Sequence, residues 1–234
     1  MISPASDNSV IKPHRLALFD LDNTLLRGDS ESEWGGYLID IGIREEQDYR
    51  SRHAVFCRQY DLGKLNVEEL LRFQLEVLTS YPLAQLEAWR DIYLQKRIVP
   101  LLLEKGKEKI KAHQHRGDEV VIITATNEFL TRPIAASLGV SELIASGLEQ
   151  DIDGNYTGRP LGTLSYGPGK IVRLHQWLAD RGVEFRDYQE VWFYSDSHND
   201  LPLLKLVTHP VAIDPDPKLR EHAVKEGWPI ISWR

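Results

Sequence analysis

The chain has 234 residues, enough for one sizeable domain or a core with a smaller companion, and its 42% hydrophobic and 27% charged content is that of an ordinary soluble globular protein. A net charge of −7 argues against a general nucleic-acid-binding face, and the single cysteine, Cys57, rules out an internal disulfide framework. No apolar run approaches membrane-spanning length, and Met1 to Pro13 lacks the apolar stretch of a secretory signal. The expectation is a cytoplasmic protein with neither nucleic acid nor a membrane as partner.

In chain order, residues 1–13 are polar, with Pro4 and Pro13, and read as a loose tail. Arg15 to Phe19 is a short apolar run ending at Asp20, the pattern of a buried strand. From Ser30 to Ile98 the character becomes helical: Trp34, Leu38 and Ile41, then Val67, Leu70, Leu71 and Leu75, then Leu83, Leu86 and Ile92 recur at helical spacing. Three or four amphipathic helices are expected there, broken at Gly42, Gly63 and Pro82. Strands and helices then alternate. Leu101 to His113 reads as a helix closed near Gly117, and Glu119 to Ile123 as a β-branched strand ending at Thr124. Glu128 to Leu138 reads as a helix with Pro133 at a second start and Gly139 as the stop. Leu143 to Ala145 is a short strand candidate, and Asp153-Gly154 signals a hairpin turn. Lys170 to Leu178 is helical, Val191 to Tyr194 a strand, Leu201 to Leu206 helical, Val211 to Ile213 a last core strand, and Pro217 to Lys225 a helix.

Strands alternating with helices imply an α/β fold: a Rossmann-like parallel sheet covered on both faces, with its functional crevice at the carboxyl ends of the strands. Asp20, Thr124 and Asp196 stand at three such ends. The helical block between the first two reads as an inserted all-α cap, giving a core of residues 1–28 and 99–234 and a cap of residues 29–98. Asp20-Leu21-Asp22-Asn23-Thr24-Leu25 places two carboxylates two residues apart after a strand, which is either a solvated turn or a reactive pair. Ser195-Asp196-Ser197-His198-Asn199-Asp200 repeats the pattern. Hard cations such as Mg²⁺ take oxygen ligands, and Asp20 and Asp196 can supply them. The plainer alternative is that Asn199 or Asp200 caps the helix containing Pro202.

These segments resemble the motifs of the haloacid dehalogenase-like superfamily. Asp20-Leu21-Asp22-Asn23-Thr24 is similar to its DxDxT first motif, Thr124 after Val120-Val121-Ile122-Ile123 to the second, Lys170 in Gly167-Pro168-Gly169-Lys170 to the third, and Asp196 with Asp200 to the acidic fourth. The helical insert between the first two motifs resembles the phosphoserine phosphatase-like branch. Two departures stand out: Ser195 where that branch commonly has glycine, and Ala125-Thr126 where it typically has two. A methyl and a hydroxyl then line the pocket, which points away from phosphoserine. Thr124-Ala125-Thr126-Asn127 and Asn199-Asp200-Leu201-Pro202 look closer to a bacterial subgroup, some members of which are associated with histidinol-phosphate hydrolysis.

The resemblance implies a phosphatase acting on a small phosphorylated metabolite, histidinol phosphate first, with phosphoserine or another small phosphomonoester as the alternative. It implies that Asp20 attacks phosphorus and Asp22 serves as acid and then base. Asp20, the Asp22 carbonyl and Asp196 hold Mg²⁺, with Asp200 behind them. Thr124 and the N–H groups of Asp22, Asn23 and Ala125 hold phosphate oxygens, and Lys170 neutralises Asp20. The four carboxylates bring about −4 and Lys170 about +1, so Mg²⁺ and a proton on Asp22 are needed to bring the site near about zero before a phosphate dianion enters.

Dehalogenation on the same core needs no second aspartate, so Asp22 argues against it. A phosphomutase or phosphotransferase differs only in the acceptor, and a binding module would not need Asp20, Asp22 and Lys170 together. His113 and His115 lie near a helix end, where bonding to carbonyls is the expected role, and His198 reads as a loop histidine. Trp and Tyr residues in the cap read as packing anchors. In Arg27-Gly28-Asp29-Ser30-Glu31-Ser32-Glu33-Trp34 the carboxylates of Asp29, Glu31 and Glu33 suit a helix N-terminus. Alternatively, one of them pairs with a substrate ammonium group while an aromatic residue packs on its ring.

Overall fold

Leu16, Ala17, Leu18 and Phe19 have no solvent exposure, because β1 (Arg15–Phe19) lies inside the sheet and is covered on both faces. The computed structural model describes residues 15–62, 64 and 66–234; the tail of residues 1–13 and the break at Gly63 lie outside them. β1 pairs in parallel with β2 (Glu119–Asn127) and β5 (Glu190–Ser195). β3 (Glu142–Gln150), β4 (Tyr156–Leu161), β6 (His209–Ile213) and β7 (Ile230–Ile231) complete seven strands in the order β4-β3-β2-β1-β5-β6-β7. All neighbours are parallel except β3 and β4. Side chains alternate across a strand: Ala17, Phe19 and Ile122 join one core cluster, while Leu16, Leu18, Val121 and Ile123 join the other. No helix among the described residues is long and apolar enough to cross a membrane.

Between β1 and β2 run α1 (Ser30–Asp40), α2 (Glu46–Asp61), α3 (Val67–Leu75) and α4 (Leu83–Tyr93). A π turn at Leu94–Ile98 and a 3-10 turn at Val99–Leu101 follow, so α5 (Glu104–His115) begins three residues later than the sequence suggests. Trp34 on α1 is 1% exposed and packs on Tyr37, Tyr93 and Phe129 at ring separations of 5.8, 5.2 and 6.0 Å. Phe129 belongs to α6 (Glu128–Ser137), which flanks the sheet, so this aromatic cluster ties the inserted helices to the sheet layer. A Cβ at Gly35 would overlap the Tyr49 hydroxyl, which is why α1 carries glycine where α2 crosses it.

Several boundaries differ from expectation. β2 continues past Thr124 to Asn127, with a register shift against β3 between Ile123 and Asn127. β3 is longer than its apolar centre, because Ser146, Gly147 and Glu149 extend it as an edge hairpin with β4 that leaves one side polar. Gly154 turns that hairpin at φ +83. β4 and β7 carry no strong strand signal: β4 is largely solvent-facing and β7 spans two residues. Pro133 does not start a second helix; it sits inside α6. Proline cannot donate to the carbonyl four residues back, and that carbonyl, on Phe129, accepts from Arg90 of α4 at 3.4 Å. The remaining helices are α7 (Pro168–Ala179), α8 (Leu201–Leu204) and α9 (Pro217–Glu226).

Candidate active site

Asp20 is the first residue beyond β1, anchored by its N–H to the Tyr194 carbonyl at 2.9 Å, and it is 7% exposed. Lys170, in the first turn of α7 and 2% exposed, donates to Asp20 Oδ1 and Asp200 Oδ2, both at 2.7 Å. Thr24 Oγ1 lies 3.1 Å from Asp20 Oδ2 and 3.2 Å from Asp196 Oδ1, and accepts the Asp196 N–H at 3.0 Å. A single buried hydroxyl therefore links the ends of two neighbouring strands. Ser195 Oγ donates to Asp200 Oδ2 at 2.7 Å and accepts from the Ser197 N–H. Asp200 precedes α8, but its carboxylate makes no cap bond; Ser197 caps the short turn before it. The helix-cap alternative thus fails for Asp200, because Lys170 and Ser195 claim its Oδ2 oxygen.

Burial pushes Asp20 up to about 6, against the pull of Lys170 and with the push of Asp200. It pushes Asp196 up to about 8, reinforced by Asp20 and Asp200, and Asp22 up to about 7, reinforced by Asp29. Burial works against the charge of Lys170, yet Asp20 and Asp200 outweigh it and raise its pKa. One lysine among four carboxylates leaves excess negative charge in a site out of water. The donor set is all oxygen, which suits a hard dication that keeps several waters. No group of three or more His, Cys, Asp or Glu side chains suited to a metal occurs among the described residues. Asp20, Asp196 and the Asp22 backbone carbonyl are the oxygens that could hold such an ion, while Asp200 is engaged by Lys170.

Asp22 is held at both oxygens: Ser30 N–H donates to Oδ1 at 2.6 Å, and Thr126 Oγ1 lies 2.7 Å from Oδ2. The Thr126 N–H donates to Thr124 Oγ1 at 3.2 Å. Thr124 and Ala125 line the cavity. Asn23 also lines it, in a left-handed conformation at φ +57, but its N–H donates to the Gly28 carbonyl at 2.8 Å. The tight turn consumes that N–H, so Asn23 is withdrawn from the set of phosphate-binding amides. Thr126 lines the cavity with Ala125, as the methyl and hydroxyl expected there imply, whereas its bond to Asp22 and the bonds of Thr24 and Ser195 were not anticipated. Thr24 and Thr126 stand two residues from Asp22 and Thr124, and Ser195 directly precedes Asp196; adjacency to the motifs was their available signal.

A cavity of about 500 Å³ extends from these strand ends to the inserted helices. Asp29 lines it while capping α1 through the Ser32 N–H at 2.7 Å. Glu31 lines it too; Asn127 Nδ2 donates to its Oε2 at 3.0 Å. Burial pushes the Glu31 carboxyl up to about 8, with Asp29 adding to the rise and Arg44 opposing it. Glu33 is a correction: it does not line the cavity but pairs with Arg97 at 3.2 Å, because it falls on another face of α1. Sequence reasoning missed Arg44, which lines the cavity, lies 5.2 and 4.8 Å over the Tyr49 and Phe73 rings, and donates to the Phe73 carbonyl at 2.8 Å. Its recruitment depends on how α2 and α3 pack, which no local pattern announces.

His113 behaves differently from expectation, while His198 lies in the turn between β5 and α8 as expected. His113 is buried between Asp118 Oδ2 at 2.7 Å and the Tyr194 hydroxyl at 2.8 Å, and burial lowers its pKa. It is a core group, not a partner of helix-end carbonyls. His198 is tied by its N–H and Nδ1 to Asp216 Oδ2 at 2.7 and 2.8 Å.

A model of the haloacid dehalogenase-like hydrolase family matches residues 17–205. The chain is 40% identical to a histidinol-phosphatase of Neisseria meningitidis serogroup C (strain 8013) over 219 residues, covering 94% of this chain and 99% of that one. Among solved structures, a protein of unknown function from Bordetella pertussis Tohama I superposes with a TM-score of 0.90 at 41% identity, covering 95% of this chain and all of that one. A phosphoserine phosphatase in a phospho-aspartyl intermediate analogue form superposes with a TM-score of 0.65 at 25% identity, covering 95% of each.

Proposed function

Because this chain belongs to the haloacid dehalogenase-like hydrolase family and is a phosphatase, we propose that it hydrolyses histidinol phosphate through a phosphorylated Asp20, with Mg²⁺ bound. The observation that carries this reading is Asp20 itself. It is buried at the cavity floor with one oxygen on Lys170 and the other beside Thr24, and Asp22 stands two residues away with both oxygens held.

Asp20 attacks phosphorus in line, and the bond from phosphorus to the leaving oxygen breaks as Asp22 delivers a proton to that oxygen. Asp22 then takes a proton from the water that attacks the aspartyl phosphate. The bond between phosphorus and the Asp20 oxygen breaks, releasing inorganic phosphate and restoring both carboxyl groups. The Thr124 hydroxyl and the N–H groups of Asp22 and Ala125 hold the phosphate oxygens, and Lys170 keeps Asp20 ionised and oriented. Asp20, Asp196 and the Asp22 carbonyl, with Asp200 behind, would hold Mg²⁺, which when bound would supply the positive charge that lets a phosphate dianion approach these carboxylates. Residues 29–98 act as a cap over the core of 1–28 and 99–234, and Glu31 accepts the substrate ammonium from the cap side. Tyr49 and Phe73 line the same part of the cavity and back Arg44.

The 40% identity to the Neisseria histidinol-phosphatase over nearly both chains supports the substrate, as does the Glu31 carboxyl on the cavity wall, which burial pushes toward the protonated form and a neighbouring ammonium would return to the ionised one. A turnover panel with Mg²⁺ tests it: histidinol phosphate, phosphoserine and sugar phosphates are compared by kcat/KM. Histidinol phosphate is expected to lead, and a sugar phosphate in first place overturns the assignment.

A further inference from the structure

We infer that Thr126 is a positioning residue that holds the Asp22 carboxyl in register with the phosphate-binding end of β2, an inference that rests on Asp22 being the proton donor to the leaving group. The two anchors of Asp22 come from different layers. Ser30 opens α1 and gives its backbone N–H to Oδ1; Thr126, near the end of β2, places its hydroxyl at Oδ2. With both oxygens engaged, rotation of the carboxyl is suppressed. Thr126 also reaches the other half of the site, because its N–H donates to Thr124 Oγ1. One residue therefore fixes the distance between the hydroxyl that faces the phosphate and the acid that faces the leaving oxygen. The register shift between Ile123 and Asn127 turns this stretch out of the regular ladder with β3.

The hydroxyl is suited to the task for a chemical reason. A backbone N–H can only donate, so the Ser30 N–H marks Oδ1 as the oxygen without a proton. The proton of the acid form then sits on Oδ2, the oxygen that Thr126 meets. The Thr126 hydroxyl donates to Oδ2, so the proton on that oxygen is left free to face the leaving group, and the same bond persists after the proton has left. Thr126 thus keeps one Asp22 geometry through both halves of the reaction, which neither alanine nor valine can do. The misplacement of a catalytic group by a fraction of an ångström is costly because the reacting atoms must be aligned.

The test uses single-turnover rates with Mg²⁺ on aryl phosphates of graded leaving-group quality, from p-nitrophenyl phosphate to phenyl phosphate. A good leaving group needs little help from the acid and a poor one needs much. Thr126→Val, nearly isosteric, is expected to lower the rate with phenyl phosphate by about tenfold or more and with p-nitrophenyl phosphate by about threefold or less. Its apparent affinity should be unchanged. Thr126→Ser is expected to restore both rates to within about threefold. Equal losses on both substrates, or no loss, overturn the inference, since a packing role has no leaving-group dependence. Asp22→Asn run in parallel separates the two readings. If it shows the steep dependence and Thr126→Val does not, only the role of Thr126 falls; if Asp22→Asn itself is indifferent to the leaving group, the acid assignment falls and takes this inference with it.

Discussion

Ser195 donates its hydroxyl to Asp200 at 2.7 Å, on the same carboxylate oxygen that receives Lys170. Two donors on one buried oxygen hold Asp200 where it orients Lys170 toward Asp20. A glycine at this position, common in the branch, would leave that oxygen to Lys170 alone. Ser195→Ala is therefore expected to cost about 1–3 kcal/mol of stability, as for loss of a hydrogen bond to a charged group. It should also lower kcat several-fold with little change in KM, because the lysine is loosened and no substrate contact is removed. Denaturant unfolding and steady-state kinetics check both; unchanged stability and kcat together would show that the hydroxyl is idle.

Asp20→Asn removes the nucleophile while keeping an oxygen for Lys170 and turning the amide NH₂ toward the Thr24 hydroxyl oxygen. The expected result is a fall in kcat of about a thousandfold or more with an unchanged circular dichroism spectrum. A folded variant that keeps most of its kcat would move the nucleophile elsewhere.

Metal and pH act together on stability. Asp20, Asp22 and Asp196 are raised to about 6, 7 and 8, chiefly by burial. A carboxyl raised in the folded state binds its proton more tightly there than in the unfolded chain. Its stabilising contribution is present in full below the unfolded value near ~4 and is lost as pH rises through the folded value. Metal-free protein should therefore lose stability from about pH 4 to about pH 8 on account of these groups, and Mg²⁺ should restore most at the upper end. Melting in a chelator and in Mg²⁺ at about pH 5 and about pH 8 measures the gap, which is expected to widen with pH. Asp196→Asn should narrow it, and a gap independent of pH would reject the charge argument. Activity should vanish on chelation and return with Mg²⁺.

Glu31→Gln keeps the shape of the side chain and its bond from Asn127 but removes the charge. KM for histidinol phosphate is expected to rise about tenfold, as for loss of a charge-assisted hydrogen bond, with p-nitrophenyl phosphate little changed. Glu33→Gln is the internal control: Glu33 pairs with Arg97 away from the cavity, so its KM should stay at the wild-type value. Equal behaviour of the two variants would discard Glu31 as the ammonium acceptor.

Much of the core was legible because it obeys local rules. The apolar run of β1 reads as a strand buried on both faces, and Asp20, Thr124 and Asp196 fall at strand ends because side-chain chemistry changes there from apolar to polar. The Asp153-Gly154 turn and the helical character of the insert follow from φ preference and from a 3.6-residue period. Those signals reside within a few residues of one another, so a sequence carries them whole. The strand limits of β2, β3 and β4 were less clear, since an edge hairpin and a shifted register are settled by neighbours that lie elsewhere in the chain.

Contacts between distant segments are decided only when the chain is packed. Thr126 meets Asp22 across 104 positions and Lys170 meets Asp20 across 150. Arg90 supplies Phe129 with the donor that Pro133 withholds. Asp29, Glu31 and Glu33 are equivalent as acidic residues at a helix start, yet one caps, one faces the cavity and one pairs outward. The 100° step of the helix and the way α1 lies on Phe129 through Trp34 choose among them. The amino-acid sequence by itself determined which side chains have the chemistry to act; the tertiary structure decided which of them meet, because side-chain direction depends on packing partners far away along the chain.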